Sequence, residues 1–159
     1  DVAAVDPAQE ETRVPGDPAV SFSPQSDAAI AIDDSLGKGP GASDERSFEL
    51  GSGPVIEIGP NVHPGMYEGL KDSADKLEMK SNIGFHSRAS GTDAFGVQVA
   101  RTGVPTGLIS IPLRYMHTMV ESIDTKDVER AGKLMGEFIA NLESDFVEKL
   151  TQSMMEVAE

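Results

Sequence analysis

Residues 28–32 read Ala-Ala-Ile-Ala-Ile, five apolar positions in succession, and Asp33-Asp34 stops the run. A continuous apolar run this short, closed by turn-forming acids, reads as a strand buried on both faces. Residues 2–5 form a further such run closed by Asp6-Pro7, residues 54–58 alternate with Val55, Ile56 and Ile58 and suggest a third strand, and residues 106–111 read as the clearest later strand. Helical patterns lie between and after them. Pro64 suits the first turn of a helix running to Leu77. Residues 83–86 read as a short strand. Thr92 can cap a helix over residues 93–101, and Gly103 suits its stop. Asp124 with Asp127 marks another helix start, after which Val128, Ala131, Met135, Phe138 and Leu142 recur at helical spacing. Phe146, Leu150, Met154 and Val157 continue the pattern as a tail helix. Residues 12–25 and 35–47 are rich in Gly, Pro, Ser and Asp and read as loops. Strands alternating with helices predict an α/β fold, a mostly parallel or mixed sheet flanked by helices.

Charge and composition narrow the function classes. The chain of 159 residues carries 27 acidic against 13 basic residues, a net charge of -14. Nucleic acid and anionic membrane both need clustered Lys and Arg, so neither is expected as a partner. Cysteine is absent, so thiolate chemistry and disulfides are excluded, and any metal must be held by His, Asp and Glu. No apolar run approaches the roughly 20 residues of a membrane span, and a cytoplasmic location is expected. Hydrophobic residues at 38% with 16 glycines suit one domain with a core. An apolar run beginning at residue 2 reads as a strand entered partway, so the sequence is expected to be a piece of a longer chain.

Three polar clusters follow apolar runs: Gln9-Glu10-Glu11 after residues 2–5, Asp33 after residues 28–32, and His117 after residues 106–111. Sites in open α/β sheets form at the carboxyl ends of strands. Two carboxylates and an imidazole converging there suit a divalent metal, and a further carboxylate can take a proton from metal-bound water. Each cluster also has an ordinary reading: solvated acids in a loop, a turn cap, and a packing histidine.

The words themselves carry more. Gln9-Glu10-Glu11, Ala29-Ile30-Ala31-Ile32-Asp33, Leu50-Gly51-Ser52-Gly53-Pro54, Gly91-Thr92-Asp93-Ala94, Gly103-Val104-Pro105-Thr106-Gly107 and Ile111-Pro112-Leu113-Arg114-Tyr115-Met116-His117-Thr118 occur in that order. Together they resemble the dinuclear metal aminopeptidases of the glutamyl aminopeptidase and tetrahedral aminopeptidase group, some formerly labelled cellulase or endoglucanase. The resemblance runs from about Val2 to about Leu142. It implies the C-terminal part of a zinc-peptidase-like catalytic domain over residues 1–143, followed by a tail helix over 144–159. It implies peptide substrates and two divalent ions, zinc or cobalt, with manganese also admitted by an oxygen-rich shell. Residue by residue, it implies Glu10 as general base, Glu11 and His117 as ligands of one metal, and Asp33 as ligand of the other. Thr92 and Asp93 would lie near the substrate, and the same pair also suits a helix cap with an acidic first turn.

The resemblance has gaps. Members of the group also use an earlier His and a bridging Asp, and carry a small β-barrel domain that helps build oligomers. All three precede the Gln-Glu-Glu word, so the N-terminal portion of the catalytic domain is expected to be needed to complete the site. Residues 12–17 differ from the glycine-rich turn usual after that word. His63 reads as a helix start and His86 as a surface or loop residue. The loop word Leu36-Gly37-Lys38-Gly39-Pro40 lacks Walker spacing and reads as flexible. Adjacent Glu10 and Glu11 on extended backbone point apart, unlike the facing carboxyls of a glycosidase. A second reading makes this chain a non-catalytic fragment or assembly partner. The parent is expected to be a homo-oligomer. The apolar stripe of the tail is expected to pack on the chain's own core first and on a neighbour second.

Overall fold

Strand β4, Thr106–Arg114, is the spine of the sheet, and its first five residues are all buried. The computed structural model describes residues 2–4, 26–43, 46–87, 92–99 and 103–156. Within them the order is β1 (Ala29–Leu36), β2 (Val55–Ile58), α1 (Pro64–Lys76), β3 (Asn82–Phe85), α2 (Asp93–Gln98), β4, β5 (Ser122–Ile123), α3 (Thr125–Ala140) and α4 (Phe146–Glu156). The sheet runs β1-β4-β2-β3, with β5 on the end of β4. β1 pairs with β4 in parallel and so does β2 with β3, whereas β2 and β5 each run antiparallel to β4. The expected α/β fold is therefore present as a mixed sheet with helices packed against it. Among the described residues no helix is long and apolar enough to cross a membrane.

Several boundaries differ from the sequence reading. β1 does not stop at Asp33-Asp34 but continues through both to Leu36, because β4 supplies a parallel partner for every one of its residues. The hydrogen-bond ladder outweighs the turn preference of the two acids. β4 likewise runs on past Pro112 to Arg114. Helix α2 ends at Gln98, short of the expected Arg101. Residues 2–4 carry no regular structure and Val2 is 70% exposed, so the described part of the strand expected over residues 2–5 is not formed, and residue 5 lies outside the described residues. No strand among the described residues pairs with residues 2–4.

The helices meet on glycines. α1 carries Gly65 and Gly69 one turn apart, on the same face of the helix. A Cβ at Gly69 would stand 2.7 Å from Phe138 Cε2 of α3, and one at Gly65 would stand 2.5 Å from Leu150 Cδ2 of α4. On the sheet, a Cβ at Gly107 would reach Leu70 at 3.1 Å and Met66 at 3.5 Å. Small residues thus let α1 lie close to both of its helical neighbours and to β4. Met66, Leu70, Leu108, Ile109, Leu134 and Ile56 close the core at 0–1% exposure. Full burial of each is worth about 1.5–3 kcal/mol. On α3 the buried positions are Asp127, Ala131, Leu134 and Phe138, while Val128 is exposed, as is Leu142 beyond the helix end. The stripe is rotated from the expected one because Asp127 is turned inward. The tail packs on its own domain as expected: Leu150 is buried, and the Phe146 ring meets Phe138 edge-on at 5.6 Å.

Candidate metal and substrate face

Register fixes which side chains share a face. Asp33 is the parallel partner of Ser110, and Val55 is the antiparallel partner of the same Ser110. Alternation puts Glu57 on that side of β2, where Gly84 of β3 is its partner. Gly107 faces α1, so its odd-numbered neighbours on β4 face α1 too, and Asp33, Ser110 and Glu57 occupy the opposite face. Asp33 sits inside β1, not at its end as the sequence suggested. It is half-buried, and its Oδ1 accepts the Asp34 N–H at 2.7 Å. Ser35, two residues on, has a buried hydroxyl with no partner among the described residues.

His117 lies three residues beyond β4 in an exposed turn. Tyr115 and His117 both take left-handed backbone, with φ of 60° and 61°. For residues other than glycine such strain is of order 1–3 kcal/mol each and gathers at functional sites. The turn is held by local bonds. The His117 N–H donates to Glu121 Oε1 at 2.6 Å, and the Thr118 hydroxyl donates to the Tyr115 carbonyl at 2.6 Å. Glu121 escaped sequence reasoning because a lone acid in a loop has no pattern. Thr92 occupies the N-cap position of α2 without making a side-chain capping bond.

Asp33 and His117 therefore belong to neighbouring parallel-running segments, the first within β1 and the second just past β4. They fit a divalent ion in kind, one carboxylate and one imidazole. Among the described residues no group of three or more His, Asp or Glu lies close enough to hold a metal. The expected roles of Glu10 and Glu11, and the side chain of Asp93, lie outside the described residues.

A second polar group shares this face. Glu57 is 3% exposed, and burial holds its carboxyl above the ordinary carboxylate range, opposed by the nearby His86 charge and the Ser110 hydroxyl. His86 is a loop residue just past β3, as expected, but it also reaches inward. Its Nε2 stands 3.3 Å from Glu57 Oε2. Gly84 is required beneath, since a Cβ there would overlap the Glu57 carboxylate. His63 is a helix start as expected: its Nδ1 accepts the Gly65 N–H at 3.1 Å, and burial pushes its pKa down.

A mixed sheet packed with helices, with Asp33 and His117 on adjacent segments, defines an α/β domain. The family model for the M42 glutamyl aminopeptidases matches residues 1–134, and the chain belongs to that family. Lysyl aminopeptidase of Pyrococcus furiosus is 37% identical over 134 residues, covering 84% of this chain and 39% of its own. Among solved structures, an aminopeptidase of Desulfurococcus kamchatkensis superposes with a TM-score of 0.82 at 31% identity, over 91% of this chain and 42% of that one. The TET1 peptidase of Pyrococcus horikoshii, which assembles into a tetrahedron or a large octahedral shell, gives 0.67 at 27% identity, over 86% and 40%. The chain thus spans about two fifths of the length of the relatives it matches.

Proposed function

We propose that the protein to which this chain belongs is a metal-dependent aminopeptidase, a hydrolase that removes N-terminal residues from peptides. The observation that carries this reading is the parallel pairing of β1 with β4, which runs the segments bearing Asp33 and His117 side by side in a chain of this family. Residues 1–143 would form part of the catalytic domain and residues 144–159 its tail helix. Glu11 and His117 would hold one ion and Asp33 the other, zinc or cobalt, with manganese also compatible. When bound, such ions polarise the scissile carbonyl and acidify a water. Glu10 would take the proton from that water and pass it to the leaving amine. Thr92 and Asp93 would line the substrate site. The name of the Pyrococcus furiosus relative favours lysine as the N-terminal residue. The assembly of the TET1 peptidase favours a homo-oligomer, and a cytoplasmic location accords with this chemistry.

The test is a panel of aminoacyl chromogenic substrates on the whole protein, before and after chelation and after metal is restored. Hydrolysis led by the lysyl substrate, lost on chelation and regained with zinc or cobalt, is expected. Hydrolysis indifferent to chelation would defeat the metal assignment. No hydrolysis of any member would favour the non-catalytic reading.

A further inference from the structure

A cleft of about 190 Å³ opens between the loop that follows β1 and the end of β4. One wall is Leu36, Gly37, Gly39, Pro40, Gly41 and Ala42, and the other is residues 113–116. The cleft therefore lies just after Asp33 on one segment and just before His117 on the other. Drug-sized ligands fill cavities of roughly 300 Å³ upward, so this one suits a residue or so of peptide.

Its chemistry is set by Arg114. The guanidinium Nε donates to the Lys38 carbonyl, which fixes the plane of the group. No carboxylate among the described residues pairs with it, and Lys38 beside it is engaged with Glu49 at 3.7 Å. In a chain of net charge -14, Arg114 is thus a cation held by its neck, with its two terminal nitrogens unpaired among the described groups. Glycines shape the opposite wall. A Cβ at Gly39 would lie 3.5 Å from the Arg114 Nε, and one at Gly37 would stand 2.9 Å from the Leu113 carbonyl carbon, so the loop lies directly on the arginine and on β4.

We propose that this cleft is the subsite for the C-terminal end of a short peptide substrate, with the Arg114 fork receiving its free α-carboxylate. The inference rests on the aminopeptidase reading. Reach supports it: Asp33 and Leu36 are three residues apart on β1, about 10 Å at the rise of a strand. An extended tripeptide covers about the same distance. A peptide whose N-terminal residue is engaged near Asp33 thus places its third residue at the cleft. A planar guanidinium fits a carboxylate through two parallel hydrogen bonds, whereas a terminal amide offers it a single neutral oxygen.

The experiment measures KM and kcat of the whole enzyme on a tripeptide with a free C-terminal carboxylate and on its C-terminal amide. The wild type is expected to show a KM about tenfold lower for the acid, the size of effect ordinary for a charge-assisted pair. Arg114→Gln is expected to bring the acid-to-amide KM ratio near one, and Arg114→Lys to restore part of it. Equal KM values in the wild type, or discrimination that survives Arg114→Gln, would overturn the subsite. Failure to cleave either peptide would instead sink the aminopeptidase reading, and the subsite with it. If Arg114→Gln does not fold, Gly39→Leu fills the cleft from the other wall. It should raise the tripeptide KM relative to that of an aminoacyl nitroanilide, which has no residue to seat there, and an unmoved ratio would overturn the proposal.

Discussion

Asp127 Oδ1, on the first turn of α3, accepts the backbone N–H of Gly53 at 2.8 Å across 74 positions of sequence. Its Oδ2 takes the Gly51 N–H at 2.6 Å, and Arg130 Nη1 reaches back to the Gly51 carbonyl at 2.8 Å. The Gly-Ser-Gly word before β2 is thus a loop clamped by a fully buried carboxylate. Gly53 has φ of 108°, and a Cβ there would collide with the Lys80 carbonyl. Asp127→Asn keeps the shape but turns an N–H₂ toward one of the two amides. It should lower stability by about 2–4 kcal/mol, since each charged buried bond is worth about 1.5–3 kcal/mol. Urea unfolding of the whole protein checks this, and a loss under 1 kcal/mol would remove the clamp from the account.

Gly69 and Gly132 should respond to alanine with opposite signs. Alanine gains about 1 kcal/mol over glycine inside a helix. At Gly132 on α3 nothing lies within 4 Å of the new methyl, so that gain should appear as a higher melting temperature. At Gly69 the methyl would press on Phe138, and overpacking of about 1–3 kcal/mol should outweigh it. Thermal melts of the two variants side by side measure the difference.

His63 makes stability depend on pH. Its Nδ1 must be unprotonated to accept the Gly65 N–H, and burial lowers its pKa. The unfolded chain then binds the proton more readily than the folded one. Stability is therefore full above the ordinary histidine value of about 6.5 and falls as pH drops from there toward the lowered value. His63→Asn, a good N-cap without a titrating group, should flatten that slope. Unfolding midpoints between pH 5 and pH 8 would show it, and parallel curves would refute it.

What the sequence made legible was the order of elements and the family words, because apolar runs and glycine positions respond to local geometry. Register was less visible. Asp33 and Asp34 look like a strand end, but pairing with β4 carries β1 through them. Asp127 looks like helix-start acid, yet its partners are backbone amides more than 70 positions away. Glu57 sits in the word Val55-Ile56-Glu57-Ile58, which alone suggests a solvent-facing acid, and its burial depends on the neighbouring strands and His86. Positive φ at Tyr115 has no sequence signal, and at His117 only the mild preference of histidine for that backbone, too weak to read alone.

Glu57 should act on stability in the sense opposite to His63. Burial raises its pKa, so the folded state holds the proton longer than the unfolded chain does. Its contribution is most favourable below the ordinary carboxylate range and declines as pH rises from there through the raised value. Glu57→Gln, which keeps a partner for Ser110, should gain on the wild type as pH rises through that window. Difference curves from urea unfolding between pH 4 and pH 8 measure this, and a constant offset would contradict the desolvation argument.

The assignment of Glu10 as base and of Glu11, Asp33 and His117 as ligands stands or falls on one comparison. The measurement is metal content beside peptide turnover in the whole protein, for wild type and for Glu10→Gln. Equal metal content is expected, with a kcat lower by about 10²–10⁴ in the variant, the span a positioned general base supplies. A variant that keeps its turnover, or that loses its metal along with it, would contradict the separation of base from ligands.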